Sequence, residues 1–368
     1  MTLPEPRRDP SAAVLPAALS GEALWLTPED PRWDALVARS ALADAYHRAA
    51  YHALAEARGE GRARLFAWRE GEAFVALPML LRPLAEIAGL EDETGCDAGS
   101  VYGYPGPIAS SAPLPEGMAG RFGRALAAGL GELGTVTLFS RLNPLLDQAP
   151  LLAGLGEVHE HGPTVSIDLT RSPEERRAAC RKATRYDLRR LEEQGFTVAP
   201  ARSGEELAAF AGIYRENMRR VEASAYYFFD DAYFTRLARE FGEDLMLLLC
   251  RQEGALAAGA LFFRSGSIAQ YHLSATATPF LAAGPVKLVL DAAAQHLGAR
   301  GAKCLHLGGG RGGTEDSLFR FKAGFGPGRH LFRSWRWVLD PATATRLAKR
   351  REALRGAAPA GFFPAHRA

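Results

Sequence analysis

Residues 267–326, SIAQYHLSATATPFLAAGPVKLVLDAAAQHLGARGAKCLHLGGGRGGTEDSLFRFKAGFG, decide how the chain is read. SIAQYHLSATAT predicts a strand and GPVKLVLDAAAQHLGARG an apolar helix. AKCLHLGGG predicts a buried strand, and TEDSLFRFKAGFG a short helix and turn. Strand, helix, strand and helix within about sixty residues is the layout of an α/β unit. Lys322 stands between Phe321 and Gly324 in the last piece. A lysine among aromatics and glycines is an odd choice for a core and a useful one for acyl transfer.

Working backwards, DLMLLLCRQEGALAAGALFFRSG reads as a hairpin turned at Glu253-Gly254, preceded by helices in GEELAAFAGIYRENMRRVEAS and DDAYFTRLAREFG. Before them, PTVSIDLT and FTVAPA read as strands. They flank one long helix that starts at Ser172-Pro173-Glu174-Glu175 and runs through RRAACRKATRYDLRRLEEQG. The first half repeats the order. EALWL is a strand, RWDALVARS and DAYHRAAYHALAEARG are helices, and RARLFAW with EAFVALPMLLRP form a hairpin. Residues 83–100 read as a loop. MAGRFGRALAAGL is a helix and TVTLFS a strand. LFRSWRWVLD is a final strand, PATATRLAKRREALRG a basic helix, and the last dozen residues a tail.

The hairpins LFAWREGEAFVALPMLL and LLLCRQEGALAAGALFF share one pattern: apolar strand, arginine, acid-glycine turn, apolar strand. Each follows two helices and precedes another helix and strand. The fold class read from this is α/β, a duplicated domain with mixed sheets flanked by helices. The expected division is a disordered segment 1–20, a first domain 21–156, a second domain 157–340, and a basic helix and tail 341–368.

With 368 residues, two domains are the prior; 47% hydrophobic and 23% charged residues fit a soluble globular chain. A net charge of +2 gives no argument for a polyanion partner without a local patch. Cys96, Cys180, Cys250 and Cys304 are too scattered for a zinc site or a disulfide framework, which fits a reducing, cytoplasmic setting. Pro10 and Pro16 interrupt any signal-like apolar core, and no apolar run reaches the roughly 18 residues of a membrane span.

Four features could carry chemistry. Lys322 falls in the last turn of its helix. There a cation suits the helix dipole or, if it faces a cleft, supports an oxyanion or a phosphate. Tyr271 and His272 point to opposite faces of a strand, one available to a cleft and one to packing. Arg177, Arg181, Arg185 and Arg189 form a stripe at i, i+4 spacing. It is either a solvated face or the footprint of a phosphate-bearing partner. LGGGRGG (307–313) is neither a Walker loop nor a dinucleotide fingerprint and reads as a flexible cleft wall. No HExxH or GxSxG occurs.

Together these residues resemble the Fem-type peptidyltransferases, which form peptidoglycan cross-bridges and consist of two domains of the GNAT N-acyltransferase fold. The resemblance rests on FRFKAGFG, the Tyr271 strand, RKATRYDLRRLEEQGF, NMRRVEASAYYF, YGYPGP and AYHRAAYHAL, in that family's order. It implies aminoacyl transfer from a charged tRNA to an amine of a diphosphate-bearing cell-wall precursor. It also implies no metal, no bound cofactor, no DNA partner, and peripheral contact with the inner membrane surface. Carried over, Lys322 is the cation at the reaction centre, Phe321 its packing neighbour, and Tyr271 lines the acceptor site. Arg220 and Tyr227 resemble an acceptor-binding pair, and Tyr102 and Tyr104 lie in the matching YGYPGP segment; apart from the resemblance, Arg181 and Arg185 of the stripe are the candidates for binding substrate. The family's first-domain phosphate lysine is missing from AAYHALAEARG, so His47, His52 or Arg58 would have to serve. An acyl-CoA-dependent relative acting on a sugar amine or peptide is the alternative. Its pyrophosphate loop would be FLAAGPVKL, where Pro285 after Gly284 removes a donor and Lys287 could compensate. A non-catalytic binder on the same fold is the third reading.

Overall fold

The structure is a computed structural model that describes residues 21–368. The expected disordered segment 1–20 lies outside them. The chain divides into two compact units, the described residues up to Glu160 with Arg333–Ala368, and His161–Phe332.

The first unit runs β1 (Glu22–Leu26), α1 (Pro31–Arg39), α2 (Ala49–Ala57), β2 (Arg62–Glu70), β3 (Ala73–Pro83), β4 (Cys96–Gly99), β5 (Ile108–Ala109), α3 (Met118–Glu132) and β6 (Thr135–Leu142). Strands β1 to β4 pair antiparallel in sequence order, and β6 adds parallel to β4. The short β5 pairs with β3. One face buries Phe66, Val75, Leu77 and Leu138 under Phe122, Leu126 and Leu130 of α3. Helix α2 packs on β2 and β3.

β7 (Glu157–Asp168) leads into the second unit. There follow α4 (Pro173–Ala179), α5 (Lys182–Glu193), β8 (Phe196–Pro200), α6 (Gly204–Arg220), α7 (Asp231–Phe241), β9 (Leu245–Gln252), β10 (Ala255–Ser265), β11 (Ile268–Thr276), α8 (Val286–Ala299), β12 (Cys304–Gly308) and α9 (Ser317–Lys322). Strands β8 to β11 pair antiparallel in sequence order, and β12 adds parallel to β11. This is the first unit's pattern again, strand for strand. Ala258, Ala260 and Phe262 of β10 face the core under α8. Gly259 turns the other way, where a Cβ would stand 2.7 Å from the Phe210 ring, so glycine lets α6 approach. The turn between β9 and β10 needs positive φ at Glu253 (48°) and Gly254 (82°), as a two-residue hairpin turn does.

The sixth strand of each sheet comes from an unexpected part of the chain. β7, which follows β6 in sequence, pairs antiparallel with β12 in the second unit. β13 (Gly328–Val338), which follows α9, pairs antiparallel with β6 in the first. The boundary expected at residue 340 therefore moves: residues 333–368 belong to the first unit.

Four local expectations are corrected. The long helix beginning at Pro173 breaks at Cys180-Arg181, both extended, because the Arg181 N–H is drawn to the Gly324 carbonyl at 2.9 Å. The helix expected over 44–59 breaks at Arg48 into a short turn and α2. The loop expected at 83–100 contains β4, whose Cys-Asp-Ala-Gly sequence has no strand signal but whose members are mostly buried. The C-terminal tail is docked after α10 (Pro341–Arg355). His366 Nε2 donates at 2.8 Å, and Arg367 donates at 2.6 Å, to the buried carboxylate of Asp97, whose other oxygen accepts from Thr137 at 2.6 Å. Burial would raise the Asp97 pKa, yet His366 and Arg367 beside it hold it below the usual carboxylate range.

Candidate functional site

The candidate site is built where β11, β12, the glycine loop and α9 meet in the second unit. At β11 the pairing with β10 slips by one residue: Leu273 faces Leu261, and Tyr271 faces Phe262. The extra residue is His272. Such bulges re-aim side chains. Tyr271 stacks on Phe262, ring centroids 5.6 Å apart, and its hydroxyl meets that of Ser274. His272 goes to the opposite face, against Phe263 at 4.6 Å, with the Tyr233 hydroxyl 3.2 Å from its Nε2. Burial pushes its pKa down to about 3. The expectation that the two would part across the strand describes what is found.

Next to β11, His306 of β12 lies opposite Gln270 on one side and Ser166 of β7 on the other. Its Nδ1 is 2.8 Å from Gln270 Oε1, and Ser166 Oγ is 2.7 Å from His330 Nε2. Gln270, His306, Ser166 and Thr164 are all buried, a polar row crossing three strands. His306 is neutral, its pKa lowered to about 3 by burial first and then by the nearby Lys322 charge.

The loop after β12 is held rather than flexible. A Cβ on Gly309 would lie 2.9 Å from the Pro163 carbonyl, one on Gly310 2.0 Å from the Thr314 carbonyl, and one on Gly162 1.8 Å from the Gly313 carbonyl. The glycines let two backbones touch, which corrects the reading of this segment as a flexible wall. Asp316 caps α9 by accepting from the Phe319 N–H at 2.9 Å, and it also accepts from Arg311. Phe319 and Phe325 bury themselves in the core on either side of Lys322, as expected.

Lys322 is only 8% exposed, so it is not a solvated helix-end cation. Its ammonium donates to the Gly309 carbonyl at 2.7 Å. Burial lowers its pKa from an ordinary 10.5 to about 8, with Asp316 acting weakly the other way. A buried ammonium with one neutral acceptor and no carboxylate in hydrogen-bond contact among the described residues retains most of its field for something else. Phe321 lies on the rim of the same core as Tyr271, its ring 5.7 Å from Phe325.

The other predicted residues separate. Arg220, at the end of α6, donates to the carbonyl of Thr276, the last residue of Tyr271's strand. Tyr227, half-buried, offers its carbonyl to the Tyr214 hydroxyl. The arginine stripe does not exist as one face, because the helix breaks within it. Arg177 is met by Asp291 at 2.7 Å and Glu192 at 2.6 Å, and Arg185 donates to the carbonyls of Ala178 and Cys180. Arg181 and Arg185 keep exposed side chains, and Arg181 Nη1 reaches the Arg320 carbonyl of α9 at 3.5 Å.

In the first unit, His47 is fully buried. Nδ1 accepts from the Asp44 N–H at 2.9 Å and Nε2 lies 3.4 Å from Gln148. It closes a structural turn and presents nothing to a phosphate, which corrects its assignment to substrate. His52 is buried too, its pKa lowered to about 3 by desolvation. Gln148 donates to the Pro105 and Pro107 carbonyls, and Gly103 packs against the Tyr46 ring, so YGYPGP is pinned in place. Tyr104 is half-buried near Tyr46, its pKa raised by desolvation, and the Arg141 guanidinium lies 6.0 Å from the Tyr102 ring centroid. A cavity of about 380 Å3 lies in this unit among Glu93, Glu132, Asp340 and Arg346, and none of the predicted site residues lines it.

The polar row of Gln270, His306, Ser166 and His330 was missed from sequence. Its signal was the alternation Cys304-Leu305-His306-Leu307, polar residues on every second position of a strand read as wholly buried.

Residues 178–322 match a family model described as an acetyltransferase (GNAT) domain, and the match ends on Lys322. Over those residues the second unit is similar to a GNAT domain. Among solved structures, FemX superposes with a TM-score of 0.67 at 14% identity, covering 88% of this chain and 99% of that one. L-PGS from Bacillus licheniformis superposes at 0.54 with 12% identity, covering 89% and 97%. A conserved protein of unknown function from Bacteroides thetaiotaomicron VPI-5482 superposes at 0.58 with 10% identity, covering 85% and 98%. No curated protein sequence matches the chain. At these identities the likeness establishes the fold, tandem GNAT-like units of the FemX kind, over most of the chain. Among the described residues no helix is long and apolar enough to cross a membrane, and no group of three or more His, Cys, Asp or Glu could hold a metal ion.

Proposed function

We propose that this chain is a Fem-like N-acyltransferase that moves an aminoacyl group from a charged tRNA to an amine of a peptidoglycan precursor. The observation that carries the reading is Lys322, a buried cation at the end of the GNAT match, aimed by one backbone carbonyl and flanked by anchored phenylalanines. The amine attacks the ester carbonyl carbon and the C–N bond forms. The ester C–O bond to the ribose then breaks, and the amine's proton replaces it on the ribose oxygen. Negative charge builds on the carbonyl oxygen in between, and a pre-positioned ammonium stabilises it there. At pH 7, a pKa of about 8 leaves Lys322 about nine-tenths charged. Tyr271 and Arg220, joined through one strand, would line the acceptor side with Tyr227. The reading needs no metal or cofactor, and it places the protein in the cytoplasm against the inner membrane surface, where such precursors are held.

The acetyltransferase description of the matched domain favours a second reading, transfer from an acyl-CoA. Its pyrophosphate loop is weakened here, because Pro285 lacks an N–H and the Lys287 ammonium is paired with Asp187. The test is transfer of a labelled amino acid from charged tRNA to a muropeptide precursor, run beside acyl-CoA donors. Transfer from tRNA, abolished in Lys322→Ala, supports the proposal. Transfer from acyl-CoA alone replaces it with the second reading.

A further inference from the structure

We propose that the outward face of α5 is the docking surface for a single-stranded nucleic acid, the unpaired 3′ end of the donor RNA. The inference rests on the aminoacyl-tRNA reading and gives its donor a place on the protein.

Three kinds of cation surround α5, and the structure separates them. Arg177, Arg190 and Lys287 are tied to Asp291, Glu192 and Asp187, so they hold α4, α5 and α8 together. Arg185 uses one guanidinium nitrogen on the carbonyls of Ala178 and Cys180 and keeps the rest exposed. Lys182 and Arg189 are exposed, with no hydrogen-bond or ion-pair partner among the described residues. While Thr184, Leu188 and Leu191 turn inward, Lys182, Arg185 and Arg189 share the outer face with Tyr186. Tyr186 is 59% exposed, more than any other large hydrophobic side chain among the described residues.

The face is therefore a line of like charge about 10 Å long with an uncovered aromatic ring in it. Unmatched like charges at helical spacing repel one another, and a row of phosphates removes that repulsion. An exposed tyrosine among cations is the arrangement on which an unpaired base stacks between phosphate contacts. An anionic membrane would call for several apolar side chains on the outer face, and α5 offers this ring alone. The line also leads somewhere. At its start the Arg181 N–H binds the Gly324 carbonyl, and its guanidinium reaches Arg320, on the helix that ends in Lys322. A strand lying along α5 from Arg189 towards Arg181 would bring its terminal ester to the lysine.

The experiment uses the full chain and a fluorescent single-stranded RNA ending in CCA. Wild type should bind with a log–log salt slope of about −2, as three phosphate contacts on a single strand require. Tyr186→Ala should weaken binding about tenfold. Lys182→Glu with Arg189→Glu should weaken it about a hundredfold and flatten the slope. Urea midpoints should stay unchanged, since Lys182 and Arg189 have no hydrogen-bond or ion-pair partner among the described residues. Vesicles of anionic phosphatidylglycerol are the control. Unchanged RNA binding in both variants overturns the docking surface, as does loss of vesicle binding alone. Transfer from charged tRNA is measured in parallel. If wild type transfers and the variants keep its KM for tRNA, the surface falls and the aminoacyl-tRNA reading stands. If wild type neither binds RNA nor transfers from it, both fall.

Discussion

Replacing Lys322 by methionine should make the protein more stable and inactive at once. The ammonium is held in a place that disfavours charge. Moving its pKa from 10.5 to about 8 on folding corresponds to a penalty of about 3 kcal/mol on the charged state. Methionine removes that penalty and fills similar volume, but it leaves the Gly309 carbonyl without its donor, a loss of about 1–2 kcal/mol. The net gain at pH 7 should be about 1–2 kcal/mol, a rise in melting temperature of about 2–8 °C. The sign with pH follows from the direction of the shift. The folded value is the lower one, so wild-type stability rises between pH 8 and 10.5, where only the unfolded chain still holds the proton. The mutant's advantage is thus complete below pH 8 and gone above about 10.5. Urea denaturation of both proteins at pH 7 and pH 10, with transfer measured at pH 7, checks each part. A mutant less stable than wild type at pH 7, or a gain that ignores pH, refutes the account of Lys322 as a buried cation kept for chemistry.

Three other outcomes follow from the geometry. If the charged form of Lys322 acts, the transfer rate should fall as pH rises through about 8, and Lys322→Arg should extend activity to higher pH. Gly162→Ala would press a methyl into the Gly313 carbonyl, so it should destabilise the second unit by about 1–3 kcal/mol and lower transfer by displacing the loop that aims Lys322. Urea titration and initial rates read the two effects. Removing residues 364–368 strips His366 and Arg367 from the buried Asp97 and should cost about 3–5 kcal/mol, most of it recovered by adding Asp97→Asn. Because the Asp97 pKa is lowered in the fold, this contribution is present above the ordinary carboxylate range. It should fade as pH drops through the depressed value.

How much was legible in the sequence differs by level. The duplication was visible because each hairpin carries its own strand alternation and turn glycine, local signals that tertiary structure did not override. Lys322 was visible because aromatic anchors and a helix-ending glycine fix where such a lysine sits. The break at Cys180-Arg181 was not, since no proline or glycine marks it; its cause is the Gly324 carbonyl, nearly 150 residues away. His47 looked available because a histidine carries no label for burial, and only the packing of Asp44, Gln148 and Trp33 around it decides the matter. β4 was hidden for the same reason: Asp97 is tolerable in a strand only because the chain's last residues return to meet it.

The crossed ownership of the sixth strands has a consequence for synthesis. When the ribosome has delivered β6, the partner for its outer edge is still about 190 residues from being made. At ordinary elongation rates of 5–20 residues per second, that is roughly ten to forty seconds. The second lobe, whose β7 precedes the rest of its sheet, can close first. The first must wait with an unzipped margin, open to any passing extended chain, until residues 333–338 emerge. A nascent chain stalled before them should be the species that chaperones hold.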